Sequence, residues 1–263
     1  MSEQLSVNML LSSNHECFEK ISLVATDVDG TLTREGKFTT ALLQALENLA
    51  VQGIKVLILT GRSAGFVHAL VSYLPIVGAV AENGGLFYPG DSEDIIQLNT
   101  ISDYNEHRQA LAAAFSKLQT RFPRIKESSD NRFRLTDWAF YGPDLTTKEL
   151  TTLDNLCQDM GWGFTYSAVQ CHIKPLGQEK AKALLQVLKQ YFPEYQIEQV
   201  VTVGDSPNDE SLFNQAVFPV SVGVANVLEY SKELKYQPAY VTSAYEGEGF
   251  CELAELLLKV SQN

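Results

Sequence analysis

What the chain has little of narrows the field first. It carries 4 cysteines in 263 residues (Cys17, Cys157, Cys171 and Cys251), with no C-x-x-C pair among them. That scatter argues against a disulfide framework or a thiolate zinc site and fits reduced thiols used as apolar filler in a cytoplasmic protein. No apolar run approaches the roughly 18 residues of a membrane span. Residues 1–20 lack a basic region followed by a long apolar stretch, so no secretory leader is expected. Basic residues are outnumbered: 20 Lys and Arg against 32 Asp and Glu give a net charge of −12. A chain this acidic offers no broad footprint for nucleic acid. Local donors and a bound metal can still admit a small phosphorylated ligand. Internal repeats and low-complexity tracts are absent too.

What is present is an ordinary globular composition, 45% hydrophobic and 20% charged. The length suits one large domain or two modest ones and is ample for a buried core. Apolar strand-like runs alternate with helical patterns. Ile21–Thr26, Ile54–Thr60 and Val77–Ala81 read as buried strands. Thr39–Gln52 reads as a helix with Leu42, Leu43, Leu46 and Leu49 at helical spacing and Gly53 beyond its end. Ser63–Leu74 reads as a second helix, stopped by Pro75. Later come a helix over 178–192, a strand at 199–203, a helix over 207–215 and a strand at 219–222. Such alternation with near-continuous apolar strands predicts an α/β fold: a Rossmann-like parallel sheet with helices on both faces.

The stretch 89–175 reads differently. Its predicted strands (95–98, 132–141, 164–167 and 170–174) mix polar and aromatic residues, and helical patterns lie near 103–121 and 146–160. This predicts an inserted α+β unit, a cap, with residues 1–88 and 176–263 forming the main domain. Pro89-Gly90-Asp91 and Pro175-Leu176-Gly177 are the expected hinges.

Ligands of open parallel sheets bind beyond the carboxyl ends of the strands. There the sequence places Asp27-Val28-Asp29-Gly30-Thr31-Leu32-Thr33, Thr60-Gly61-Arg62, Glu82-Asn83-Gly84-Gly85 and Gly204-Asp205-Ser206-Pro207-Asn208-Asp209. Asp27 and Asp29 are two apart, so an extended backbone would point both the same way. Asp205 and Asp209 belong to a neighbouring strand end. Such a cluster repels itself unless it encloses a cation, and hard oxygen ligands without His or Cys favour Mg²⁺. Ser206–Asp209 has the form of a capping box with Pro at the first helical position. Thr60-Gly61-Arg62-Ser63 opens a helix whose hydroxyl and free N–H groups suit a phosphate oxygen.

Asp27–Thr33, Thr60, Lys180 and Gly204–Asp209 resemble, in order, the four motifs of the haloacid dehalogenase-like (HAD) phosphohydrolases. The insert between Thr60 and Lys180, and Glu82–Gly85, resemble the Cof-type branch. Asn131–Arg134 and Phe164–Lys174 are similar to archaeal-type phosphoglycolate phosphatases, and Gly204–Phe213 to sucrose-phosphatases. The resemblance implies that Asp27 is the nucleophile forming an aspartyl-phosphate, and that Asp29 is the general acid and then the base. It implies Mg²⁺ held by Asp27, the carbonyl of Asp29 and Asp205, with Asn208 and Asp209 completing or orienting the shell. Thr60 and Lys180 would grip phosphoryl oxygens beside Gly61 and Asn83. Lys180 is preferred to Lys182 because Ala181, Leu184, Leu185 and Leu188 mark the buried side near its end of the helix, although Ala181 stands where the family often has Gly.

Other positions stay open. Arg62 either binds an anion or lies on the surface. Arg132 and Arg134 share a face if 132–141 is a strand, and then clamp a second anionic group or face water. His172 either meets the leaving group or is a strand histidine without a role. The expected activity is Mg²⁺-dependent hydrolysis of a small phosphorylated metabolite, phosphoglycolate or a sugar phosphate. The rivals are a phosphomutase of the same superfamily and a phosphoryl-accepting signalling module.

Overall fold

The computed structural model describes residues 8–12 and 15–261. Parts of the stretch over which no leader is expected, 1–7 and 13–14, lie outside the described residues, as do 262–263.

The chain begins β1 (Leu23–Thr26), α1 (Thr40–Val51), β2 (Lys55–Leu59), α2 (Ala64–Tyr73), β3 (Gly78–Ala81), β4 (Leu86–Pro89) and β5 (Ile96–Gln97). There follow α3 (Tyr104–Arg121), β6 (Lys126–Glu127), β7 (Trp138–Tyr141), α4 (Thr147–Asp159), β8 (Trp162–Tyr166) and β9 (Cys171–Pro175). It closes with α5 (Lys180–Tyr191), β10 (Val200–Gly204), β11 (Ser221–Gly223), β12 (Tyr240–Val241) and α6 (Glu246–Val260).

Two sheets result. The larger has the order β12-β11-β10-β1-β2-β3-β4-β5, parallel from β12 to β3 and antiparallel beyond. Its central strands are apolar on both faces because helices cover both. One face packs Leu42, Leu46 and Leu49 of α1, Val67 of α2 and Phe250 and Leu253 of α6; the other packs Leu184, Val187 and Leu188 of α5. Thr39 starts α1 by accepting the Leu42 N–H at 3.1 Å, a hydroxyl cap on a backbone donor left over at the helix start.

The smaller sheet, β6-β7-β9-β8, is antiparallel and carries α3 and α4 on one face. Along β9 the alternation of side chains decides the roles. Cys171 and Ile173 join that apolar layer, so His172 and Lys174 point the other way.

Three expectations are corrected. The strand foreseen at 95–98 in the insert pairs with β4 and extends the large sheet. The strand foreseen at 132–141 starts only at Trp138; a 3₁₀ helix occupies Ser129–Phe133. Arg132 and Arg134 therefore do not lie on one strand face. The buried stripe of α5 is Lys180, Ala183, Leu184, Val187 and Leu188, while Leu185 is exposed. The spacing of 3–4 residues makes Lys180 itself the first member of that stripe. The strands β4, β6 and β12 and the helix α6 were not foreseen.

Candidate active site

The ends of β1, β2, β3 and β10 meet at one sheet edge, where the chain order switches direction between β1 and β10. After β1 the chain turns back at once. The Val28 carbonyl accepts the N–H groups of Thr31, Leu32 and Thr33 at 3.3, 2.8 and 3.1 Å. Gly30 sits in this turn at φ +82, and a Cβ there would lie 2.5 Å from Asp205 Oδ2. Only glycine tolerates both the conformation and the approach. Gly204 is similarly constrained: a Cβ would lie 2.5 Å from Asp209 Cγ.

This folding brings Asp27, Asp205 and Asp209 together, all buried, each with a carboxylate oxygen within 4.8 Å of the others. Lys180 Nζ enters from α5 and donates to Asp27 Oδ1 at 2.6 Å and to Asp209 Oδ1 at 2.7 Å. The other oxygen of Asp209 accepts the N–H of Asp205 at 3.0 Å and of Ser206 at 3.3 Å. Asp205 accepts from Thr31 Oγ1 and Asn226 Nδ2, both at 3.0 Å. Three carboxylates and one ammonium leave a formal charge of −2 away from water. Burial pushes Asp27 up to about 7, against the pull of Lys180 and with Asp209 and Asp29 adding to the rise. Burial likewise pushes Asp205 well above the ordinary carboxylate range. The donors are all oxygen, the cluster is tight and the excess charge is two, which fits a hard divalent cation.

Asp29 departs from the expected cluster. Its carboxylate is held by Arg62, Nε to Oδ2 at 2.6 Å and Nη2 to Oδ1 at 2.5 Å. Thr60 is buried and its Oγ1 accepts the Arg62 N–H at 3.1 Å, closing the turn into α2. Asn208 Nδ2 donates to Asn83 Oδ1 at 3.3 Å.

The smaller sheet covers this edge. Asp27, Asp29, Gly61, Arg62 and Asn208 share a cavity of about 10 Å³ with Ser167, Val169, Gln170 and His172, about the room of one water. His172 Nδ1 meets Asp137 Oδ2 at 2.9 Å. Its Nε2 faces Gly61, where a Cβ would stand 3.3 Å away. Arg134 is buried; its Nη1 reaches Asp137 Oδ1 at 2.8 Å and the Gly61 carbonyl at 2.9 Å. Burial alone would raise Asp137, yet Arg134 and His172 hold it down to about 2. Burial also lowers His172, against Asp137, and so favours its neutral form. Arg132 is exposed, lies over the Phe133 ring at 4.9 Å and stands apart from the site.

Four contributors were missed: Thr31 and Asn226, which hold Asp205; Asp137; and Glu82. Thr31 and Glu82 lay inside quoted motifs, but Asn226 and Asp137 are single polar residues in unremarkable surroundings and carried no local signal. Glu82 is fully buried at φ +55, a rare conformation for this residue. Its carboxylate accepts the N–H groups of Ala64, Leu135, Thr136 and Asp137.

An α/β core with a second sheet over a buried acidic strand-end cluster defines the phosphatases of the HAD superfamily, which are phosphoric monoester hydrolases. The model of the sucrose-6F-phosphate phosphohydrolase family matches residues 20–254, and the chain belongs to that family. It is 29% identical over 249 residues to phosphoglycolate phosphatase 1 of Saccharolobus solfataricus, covering 91% of this chain and 96% of that one. It is 30% identical over 210 residues to a phosphoglycolate phosphatase of Sulfolobus acidocaldarius, covering 78% and 85% of the two chains. A solved Thermoplasma acidophilum protein shares the fold with a TM-score of 0.69 at 24% identity, covering 90% and 99%. So does the C-terminal domain of Candida albicans trehalose-6-phosphate phosphatase, with a TM-score of 0.70 at 15% identity, covering 96% and 98%.

Proposed function

We propose that the chain hydrolyses a small phosphorylated metabolite, phosphoglycolate or a sugar phosphate, through an aspartyl-phosphate on Asp27. The observation that carries this reading is Lys180 bridging Asp27 and Asp209 at the edge of a cavity walled by the insert. Lys180 holds one oxygen of Asp27 and leaves the other to attack phosphorus. As the new P–O bond forms, the bond to the leaving oxygen breaks, and Asp29 gives its proton to that oxygen. Water then attacks phosphorus, Asp29 takes its proton, and phosphate departs with Asp27 restored. Asp29 must leave Arg62 to do this, because Arg62 occupies both of its oxygens here. Asp27, Asp205 and the Asp29 carbonyl would hold Mg²⁺, with Asp209 and Asn208 orienting that shell. The ion supplies charge neutralisation between the nucleophile and the phosphoryl group. Thr60 and the backbone of Gly61 suit the phosphoryl oxygens.

The insert, expected over 89–175 but without the 95–98 strand that belongs to the large sheet, acts as the cap: seated as here it leaves room for about one water, and it must lift to admit a substrate larger than the cavity. His172 and Gln170 would then meet the leaving group. Phosphate release is the readout, and phosphoglycolate and sucrose 6-phosphate are the first substrates to try. Asp27→Asn should abolish turnover with the fold intact. Undiminished phosphate release by that variant would refute the assignment.

A further inference from the structure

Three consecutive backbone N–H groups of the insert converge on one side chain of the core. Leu135 donates to Glu82 Oε1 at 3.0 Å, Thr136 to Oε2 at 2.6 Å and Asp137 to Oε2 at 3.2 Å. The Thr136 hydroxyl adds a fourth bond at 2.8 Å. Successive N–H groups that point inward form a nest for an anion, and here the anion belongs to the core. Glu82 also accepts the N–H of Ala64 at 2.9 Å, at the start of α2. One buried carboxylate therefore ties the end of β3 and the entry to α2 to the segment leading into β7.

That segment carries the wall of the catalytic cavity. Asp137 follows Thr136 and holds His172 at 2.9 Å and Arg134 at 2.8 Å. Asn83, next to Glu82, reaches Asp137 Oδ2 at 3.5 Å. No other described contact fixes the backbone of Leu135–Asp137 to the core by a carboxylate acceptor. The geometry points to Glu82 as a positioning residue for the reaction: by filling the nest of Leu135, Thr136 and Asp137 it sets where Asp137, and through it His172, stands over Asp27 and Asp29. This deepens the phosphatase reading and rests on His172 meeting the leaving group.

Glu82→Gln puts an amide donor against backbone donors and so displaces the segment. With phosphoglycolate and p-nitrophenyl phosphate as probes, the full-length variant should lose on the order of 10–100-fold in kcat, the scale of an ångström-sized misplacement. His172→Ala should lose a similar factor, and adding Glu82→Gln to it should change kcat by less than about threefold, because both act through one group. A purely structural role multiplies the two losses, and that result would overturn the proposal. Should Glu82→Gln not fold, Thr136→Val removes the hydroxyl bond to Glu82, together with the one the hydroxyl accepts from Gln178. It should lower kcat severalfold in the wild-type background and not in the His172→Ala background; equal losses in both overturn the idea. The two readings fail separately. A wild-type chain that releases no phosphate refutes the phosphatase assignment. Amide exchange then tests the strut: Glu82→Gln, or Thr136→Val in its place, should speed exchange at Leu135–Asp137 several-fold or more, and unchanged exchange there sinks it.

Discussion

The two walls of the catalytic cavity solve the same electrostatic problem in opposite ways. The wall from the large sheet buries Asp27, Asp205 and Asp209 around one lysine and stays two charges in excess. The wall from the small sheet buries Asp137 against Arg134 and His172, and Arg134 is shared with Asp130. Burial penalises a carboxylate on either side. On the cap side the Arg134 guanidinium and the hydrogen bond from His172 overcome it, and Asp137 is held down to about 2. On the core side Lys180 does not, and Asp27 rises to about 7. A buried charge already neutralised fixes a shape. A buried excess charge suits the cation and the phosphoryl group proposed for it. Under the proposed reading the chemistry lies on the core and the shaping of the pocket on the cap.

The sharpest way to break it is to remove the lysine that two of the three core carboxylates share. Lys180→Met leaves Asp27 and Asp209 without their shared partner, and the fold should lose about 3–5 kcal/mol, read by urea unfolding without added metal. A change under about 1 kcal/mol would show that the cluster is not held in this arrangement.

Next comes the cap's own cation. Arg134→Met strands Asp137 and frees the Gly61 carbonyl, costing about 3 kcal/mol. Phosphatase activity should fall as well, since the wall tilts. Loss of stability with unchanged kcat and KM would separate the cap network from the reaction.

The excess charge predicts a pH dependence with a definite sign. Asp27 keeps its proton up to about 7 in the fold, whereas an unfolded aspartate releases it near about 4. Its folded pKa is raised, so its contribution to stability is complete below about 4 and is lost as pH rises toward 7. A Mg²⁺ ion held by Asp27 as proposed would have to displace that proton. The rise in melting temperature on adding Mg²⁺ to chelator-treated protein should therefore be larger at pH 8 than at pH 5. An equal rise at both would deny the site as drawn.

The smallest effect sharpens the comparison within two residues. Arg132→Ala should leave melting temperature and kcat at wild-type values, because Arg132 is exposed and touches only Phe133 among aromatic rings. A loss comparable to that of Arg134→Met would mean that the outer arginine also serves the pocket.

How much of this could be read in advance differs between the walls for the same reason. Each core residue sits in a short local pattern: Asp27 after a buried strand, Thr60 before a helix, Ser206–Asp209 in a cap that the structure reproduces. Lys180 was also legible, since it falls on the buried stripe of α5, even though the stripe was drawn through Leu185 in error. The cap wall had no such pattern. Arg132 and Arg134 look equivalent in sequence; a 3₁₀ helix in place of a strand turns one out and one in. Asp137 and Glu82 matter only because residues 54 to 55 apart in the chain meet.

By itself the sequence determined the alternation of strands and helices, and with it the edge where the acidic motifs gather, because periodicity and turn chemistry are local. Tertiary structure alone decided which carboxylates are neutralised and which are not. Whether a buried charge has a partner depends on the few ångströms between segments distant in the chain, and no spacing along the chain encodes that distance.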